Sequence, residues 1–75
     1  MILPTKHVTI RHSLIGQAMV VLQNINRPKT VSTLWEQVKR NGQIRSYERF
    51  VLAIDMLFML GAVELKEGLI RKVKN

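Results

Sequence analysis

Residues 46–65 read SYERFVLAIDMLFMLGAVEL. From Tyr47 to Leu60 only Glu48, Arg49 and Asp55 carry charge, and every other position is apolar. Ser46 offers a hydroxyl to cap a helix start, and Gly61 supplies the left-handed backbone that ends one, so a helix is expected over 46–60. At about 100° per residue, Tyr47, Phe50, Val51, Ile54, Leu57 and Phe58 cluster on one side, the expected core stripe. The opposite side carries Leu52, Ala53, Met56, Met59 and Leu60, with Arg49 among them and Glu48 and Asp55 along one edge. A helix apolar all round must be covered on both sides, so the question is what meets the second one.

Working upstream, HVTI (7–10) alternates β-branched with other residues and reads as a short strand or extended arm within residues 1–12. Ser13 is a helix cap, and Leu14, Ile15, Ala18, Val21, Leu22 and Ile25 follow with helical spacing, giving a helix over 13–25 that Pro28 stops. Thr30 or Ser32 caps a second helix, 32–40, in which Leu34, Trp35 and Val38 face inward; Asn41-Gly42 ends it. Downstream, VELK and LIRKV flank Glu67-Gly68, a relative of the two-residue turns built on Asn-Gly and Asp-Gly. A hairpin over 62–74 with that turn sets Leu65 opposite Ile70 and Glu64 opposite Arg71.

Three helices followed by a β-hairpin is an α+β, mainly α, order: a single winged helix-turn-helix domain spanning 1–75. The competing architecture is a plain three-helix bundle with a basic tail. At 75 residues and 8.7 kDa the chain is near the lower size limit for folding on one core, and without Cys it has no disulfide to help. Hydrophobic content of 47% places it with globular proteins rather than disordered ones.

Catalytic chemistry finds no foothold in these residues. His7 and His12 have no Cys or acidic neighbour, so no metal is expected there. The carboxylates Glu36, Glu48, Asp55, Glu64 and Glu67 are scattered rather than paired, and no phosphate-binding Gly loop, GxSxG or HExxH occurs. No enzyme activity, no cofactor and no small-molecule substrate are expected. The opening MILPTKHVTIRHS lacks the layout of a secretion signal, and the apolar run 50–63 is too short to span a bilayer. A cytoplasmic protein without membrane contact is the expectation.

What is left is binding. Lys and Arg outnumber Asp and Glu by 12 to 5, which favours polyanionic or acidic partners. Lys39, Arg40 and Arg45 lie around the turn between the second and third helices, Arg49 near the start of the third, and Arg71, Lys72 and Lys74 on the second hairpin strand. In a winged helix these seven line one side and track a phosphate backbone; alternatively they are a solvated surface that keeps an apolar chain soluble. A DNA-reading helix places Arg, Lys, Asn, Gln or Ser on its outer side, whereas here that side holds mostly Leu and Met. Any DNA contact is therefore expected to be independent of sequence. Two readings of the outer side stand: it is internal core, covered by arm, wing and first helix, or it is a protein contact. In the second, Leu52, Met56, Met59 and Leu60 dock a partner.

The blocks MILPTKHV, KTVSTLWE, SYERFVLAIDMLFMLGAVEL and GLIRK resemble the sixth family of middle components of bacterial ABC three-component systems, over nearly the whole chain. Members are encoded between an SMC-like ABC ATPase and an effector-type component in conflict or antiphage loci. The resemblance implies a non-enzymatic adaptor in antiviral defence, with that ATPase and effector as partners. It carries no catalytic residues. The chain is also similar to winged-helix subunits that decorate SMC complexes; those carry two such units, so self-association into a homodimer is a further expectation. The runner-up is a stand-alone winged-helix DNA-binding regulator, and a third reading is an inhibitor-like partner of a neighbouring effector.

Overall fold

A computed structural model describes residues 13–73. The elements are α1 (Leu14–Gln23), α2 (Val31–Arg40), α3 (Tyr47–Met59), β1 (Val63–Lys66) and β2 (Leu69–Lys72). This is the expected winged-helix order, with β1 and β2 as the wing; HVTI and the rest of the arm lie outside the described residues.

Each helix starts on a hydroxyl cap. Ser13 Oγ accepts from Gly16 N–H at 3.0 Å, Thr30 Oγ1 from Thr33 N–H at 3.1 Å, and Ser46 Oγ from Arg49 N–H at 3.3 Å. Because Thr30 rather than Ser32 is the cap, α2 begins at Val31. The first helix is shorter than expected: Asn24 caps it, with its Nδ2 donating to Val20 O at 2.9 Å. Ile25 lies beyond the helix yet is buried in the core.

The wing has the expected register, Glu64 opposite Arg71 and Leu65 opposite Ile70. Its turn residues Glu67 and Gly68 both have positive φ, 56° and 79°. That is the pattern of a turn whose twist matches antiparallel strands, with Glu67 in a conformation glycine, Asn or Asp adopts more readily. Glu64 and Arg71 form an ion pair, with Arg71 Nε and Nη2 each 2.6 Å from Glu64 Oε2.

A third backbone segment joins this sheet. Lys29 and Ile70 exchange both backbone hydrogen bonds, Lys29 N–H to Ile70 O at 3.2 Å and Ile70 N–H to Lys29 O at 2.8 Å. β2 therefore sits between β1 and the α1–α2 connection, which ties the wing to the helices.

The core gathers Val21 and Ile25 from the first unit, Leu34 and Val38 from α2, Ile44 from the turn, Phe50, Ala53, Ile54 and Leu57 from α3, and Val63 and Ile70 from the wing. The buried positions of α3 have the i, i+3, i+4, i+7 spacing of a single stripe. That stripe is rotated from the expected one. Tyr47, Val51 and Phe58, expected inside, are exposed; Ala53, expected outside, is fully buried. The reason is that α1 is the helix packed most closely on α3, and it lies on the flank carrying Arg49 and Ala53. Arg49 Nε donates to Gln17 Oε1 of α1 at 2.9 Å, marking that seam. On the other flank α2 meets the start of α3, where Trp35 meets Tyr47 edge-on at 5.3 Å and Phe50 at 5.1 Å between ring centroids.

Candidate interaction surfaces

The outer side of α3 is where two of the wheel positions meet solvent fully. Met59 is 80% exposed, the capping Leu60 71% and Leu52 42%. Met56 differs from them: it is half-buried and packs against the core, so it forms the floor of the face rather than its crest. Glu48 and Asp55 are exposed on the same helix, and the rotation described above adds Tyr47, Val51 and Phe58 to its exposed apolar residues. On α1, Ile15 and Met19 are exposed as well, one helical turn apart. Scattered surface apolar residues need no explanation, but four large ones (Leu52, Phe58, Met59 and Leu60) within nine positions of a single helix and its cap do.

The seven cations divide into three kinds. Arg40, Arg45 and Lys72 are exposed, and so is Lys39, whose Nζ stands 6.0 Å from the centroid of the Trp35 ring. Arg49 and Arg71 are half-buried, the first bonded to Gln17 and the second paired with Glu64. Lys74 lies outside the described residues. The helix 2–3 turn and the wing thus present separate groups of cations, and the two arginines held by neighbours have the least freedom to meet a phosphate.

The chain matches the family model of the ABC-three component (ABC-3C) system Middle Component 6 over residues 3–73. It belongs to that family. No curated protein and no solved structure shows a significant match. The family places the middle component within a three-component system, where its partners are the other components. Among the described residues no helix is long and apolar enough to cross a membrane.

A cation of this middle component that the sequence pattern did not single out is Lys29. It is 8% exposed, an unusual position for an ammonium group. Its Nζ donates to Asn24 O at 2.8 Å, Gln37 Oε1 at 2.7 Å and Asn26 Oδ1 at 3.3 Å, so all three protons are used. Burial lowers its pKa from the ordinary lysine value, and the charge of Arg27 pushes it the same way. The partners are neutral oxygens, one of them the carbonyl of the residue capping α1, where the helix dipole favours a cation. A polar cavity of about 290 Å³ opens beside it, lined by Gln23, Asn24, Asn26, Gln37, Arg40 and Asn41. The arrangement is a cross-link between the end of α1 and the last turn of α2. A Lys after Pro and before a helix cap carries no periodic signal, which is why the pattern was silent on it.

A second cavity, of about 410 Å³, lies between the α1–α2 connection and the end of β2. Ile25, Pro28 and Val73 give it apolar walls, and Arg27, Arg71 and Lys72 surround it with cations.

Proposed function

We propose that this middle component is a non-enzymatic winged-helix adaptor in the cytoplasm, holding the SMC-like ABC ATPase and the effector component of an antiphage system together. Leu52, Met59 and Leu60, with Met56 beneath them, dock one of those partners. The observation that carries this reading is the exposure of Met59 and Leu60 at 80% and 71% on a helix whose other face already fills the core. Met59 and Met56 suit such a role because the unbranched thioether side chain adapts its shape to the surface it meets. A winged helix that read bases would expose polar side chains where Leu52 and Met59 stand. The exposed cations Lys39, Arg40, Arg45 and Lys72 add sequence-independent contact with a DNA backbone or an acidic protein face. Arg49 and Arg71, held by Gln17 and Glu64, contribute less to that contact.

Affinity purification of the tagged chain from its host, with nuclease treatment and mass spectrometry, tests the reading. Recovery of an ABC-type ATPase by the native chain, lost with Leu52→Asp combined with Met59→Asp, is the expected result. Recovery that survives both substitutions in a folded variant removes α3 from the interface. Recovery of nuclease-sensitive material alone moves the function to the DNA-binding regulator.

A further inference from the structure

The sheet opens before its third segment is complete. Lys29 and Ile70 exchange both hydrogen bonds, so an antiparallel ladder continued by two residues would join Arg27 to Lys72 in the same way. No such bond forms among the described residues. The facing of Lys72 is fixed by its neighbour: Val73 N–H donates to Ala62 O at 3.0 Å toward β1, so the Lys72 peptide groups point the other way, into the cavity of about 410 Å³. One wall of that cavity is thus a strand edge with an unused donor and acceptor. Its accessible apolar surface comes from Pro28 and Val73, and exposed Arg27 and Lys72 stand at its rim.

We propose that this cleft receives an extended acidic segment of a partner protein, which pairs with Lys72 as an added strand. Alternation suits both demands: in a strand, successive side chains point to opposite sides, so apolar residues enter over Pro28 and Val73 while the intervening Asp or Glu meet Arg27 and Lys72. The charge of the rim selects acidic over basic segments, and Arg71 does not compete because Glu64 holds it. The inference rests on the chain being a binding subunit, yet uses a different surface from the outer side of α3.

A displayed library of random twelve-residue peptides, selected on the full chain, is the test. Enriched peptides are then titrated against native protein, the Arg27→Glu, Lys72→Glu double variant and Leu52→Asp. The expected result is enrichment of acidic-apolar alternation, with Kd raised at least tenfold in the double variant and unchanged in Leu52→Asp. Amide exchange at Lys72 slows when such a peptide binds. Should the double variant melt differently from native, Arg27→Gln with Lys72→Gln takes its place. Peptides that bind the double variant equally well, or that leave Lys72 exchange unaltered, overturn the proposal, as does a selection that enriches nothing. Displacement of the selected peptides by a synthetic peptide of residues 1–12 assigns the cleft to the chain's own arm, and a duplex whose binding alone is lost in the double variant assigns it to nucleic acid. Loss of ATPase recovery in the α3 variants with intact peptide binding, or the reverse, tells the two surfaces apart.

Discussion

Lys29→Met removes the ammonium while keeping most of the stem, and so isolates the cross-link between α1 and α2. Three hydrogen bonds disappear, two at 2.8 and 2.7 Å and a weaker one at 3.3 Å. Bonds to a charged group are worth about 1.5–3 kcal/mol each, but removing a buried cation also recovers a desolvation cost of several kcal/mol. The orphaned oxygens of Asn26 and Gln37 border the polar cavity of about 290 Å³, where water reaches them. The net loss expected is therefore about 1–2 kcal/mol, a fall in Tm of roughly 4–16 °C for a domain of this size. Lys29→Ala also deletes methylenes and should cost about 2 kcal/mol more. Linkage supplies a second reading. Because the folded-state pKa of Lys29 is below 10.5, the unfolded chain binds more protons between the folded value and 10.5, so stability rises with pH through that window. The contribution is fully present above 10.5 and is lost as pH falls through the folded pKa. Urea unfolding of native protein and Lys29→Met from pH 7 to 11 should show the gap between them widening toward the alkaline end. A variant as stable as the native chain at pH 7 refutes the cross-link argument, and a gap that narrows with pH refutes the lowered pKa.

Other expectations are more direct. Phe50→Ala empties a fully buried ring site and breaks its contact with Trp35, costing about 3–5 kcal/mol, enough to leave this small domain largely unfolded in a thermal melt. Glu64→Gln breaks an ion pair whose side chains are 38% and 42% exposed, so chemical denaturation should register no more than about 1 kcal/mol. Gly68→Ala places a side chain at φ 79° and should cost about 1–2 kcal/mol, read as a lower urea midpoint, although the space around it is open. For DNA, the four exposed cations Lys39, Arg40, Arg45 and Lys72 at about −0.9 each predict a slope of log K against log salt of about −3.6. A much steeper slope in a fluorescence titration means that further cations, the exposed Arg27 and Lys66 or a released Arg49 or Arg71, also meet phosphates.

The local signals in the sequence were the ones carried by backbone chemistry. Ser13 and Ser46 cap their helices, Gly42 and Gly61 end α2 and α3 with φ of 69° and 73°, and the hairpin turn fixes the register of the wing. Each of these is decided within four residues. The face of α3 was harder to place, because large apolar side chains run all round it; only Glu48 and Asp55 mark an exposed arc, and it lies opposite the buried Phe50, Ala53, Ile54 and Leu57. The centre is set by α1, through Gln17 and Arg49, thirty-two positions apart. Lys29 escaped for a related reason. Its burial depends on Asn24, Asn26 and Gln37 arriving from three directions, and each of them alone reads as an ordinary surface amide.

The same residue also accounts for the cleft. Asn24 caps α1 and Lys29 is paired with Ile70, so residues 25–28 must cover the ground between two fixed points. Ile25 is turned into the core within that short path, and Pro28 has no N–H to add to a ladder. Arg27 cannot then run alongside Lys72, and the edge of β2 opens where a longer connection would have closed it. Both anchors of the path are held by Lys29, by its backbone at one end and by its Nζ at Asn24 O at the other. Loss of the ammonium therefore removes one hold on the near end, which Asn24 keeps through its own bonds to Val20 and Val21, and leaves the strand pairing intact. From this it follows that Lys29→Met should weaken capture of an acidic peptide at the cleft while sparing docking on α3, which draws its position from α1 and Phe50. An adaptor of the kind proposed holds two neighbours at once, and surfaces positioned by separate sets of contacts let it gain or lose one without the other.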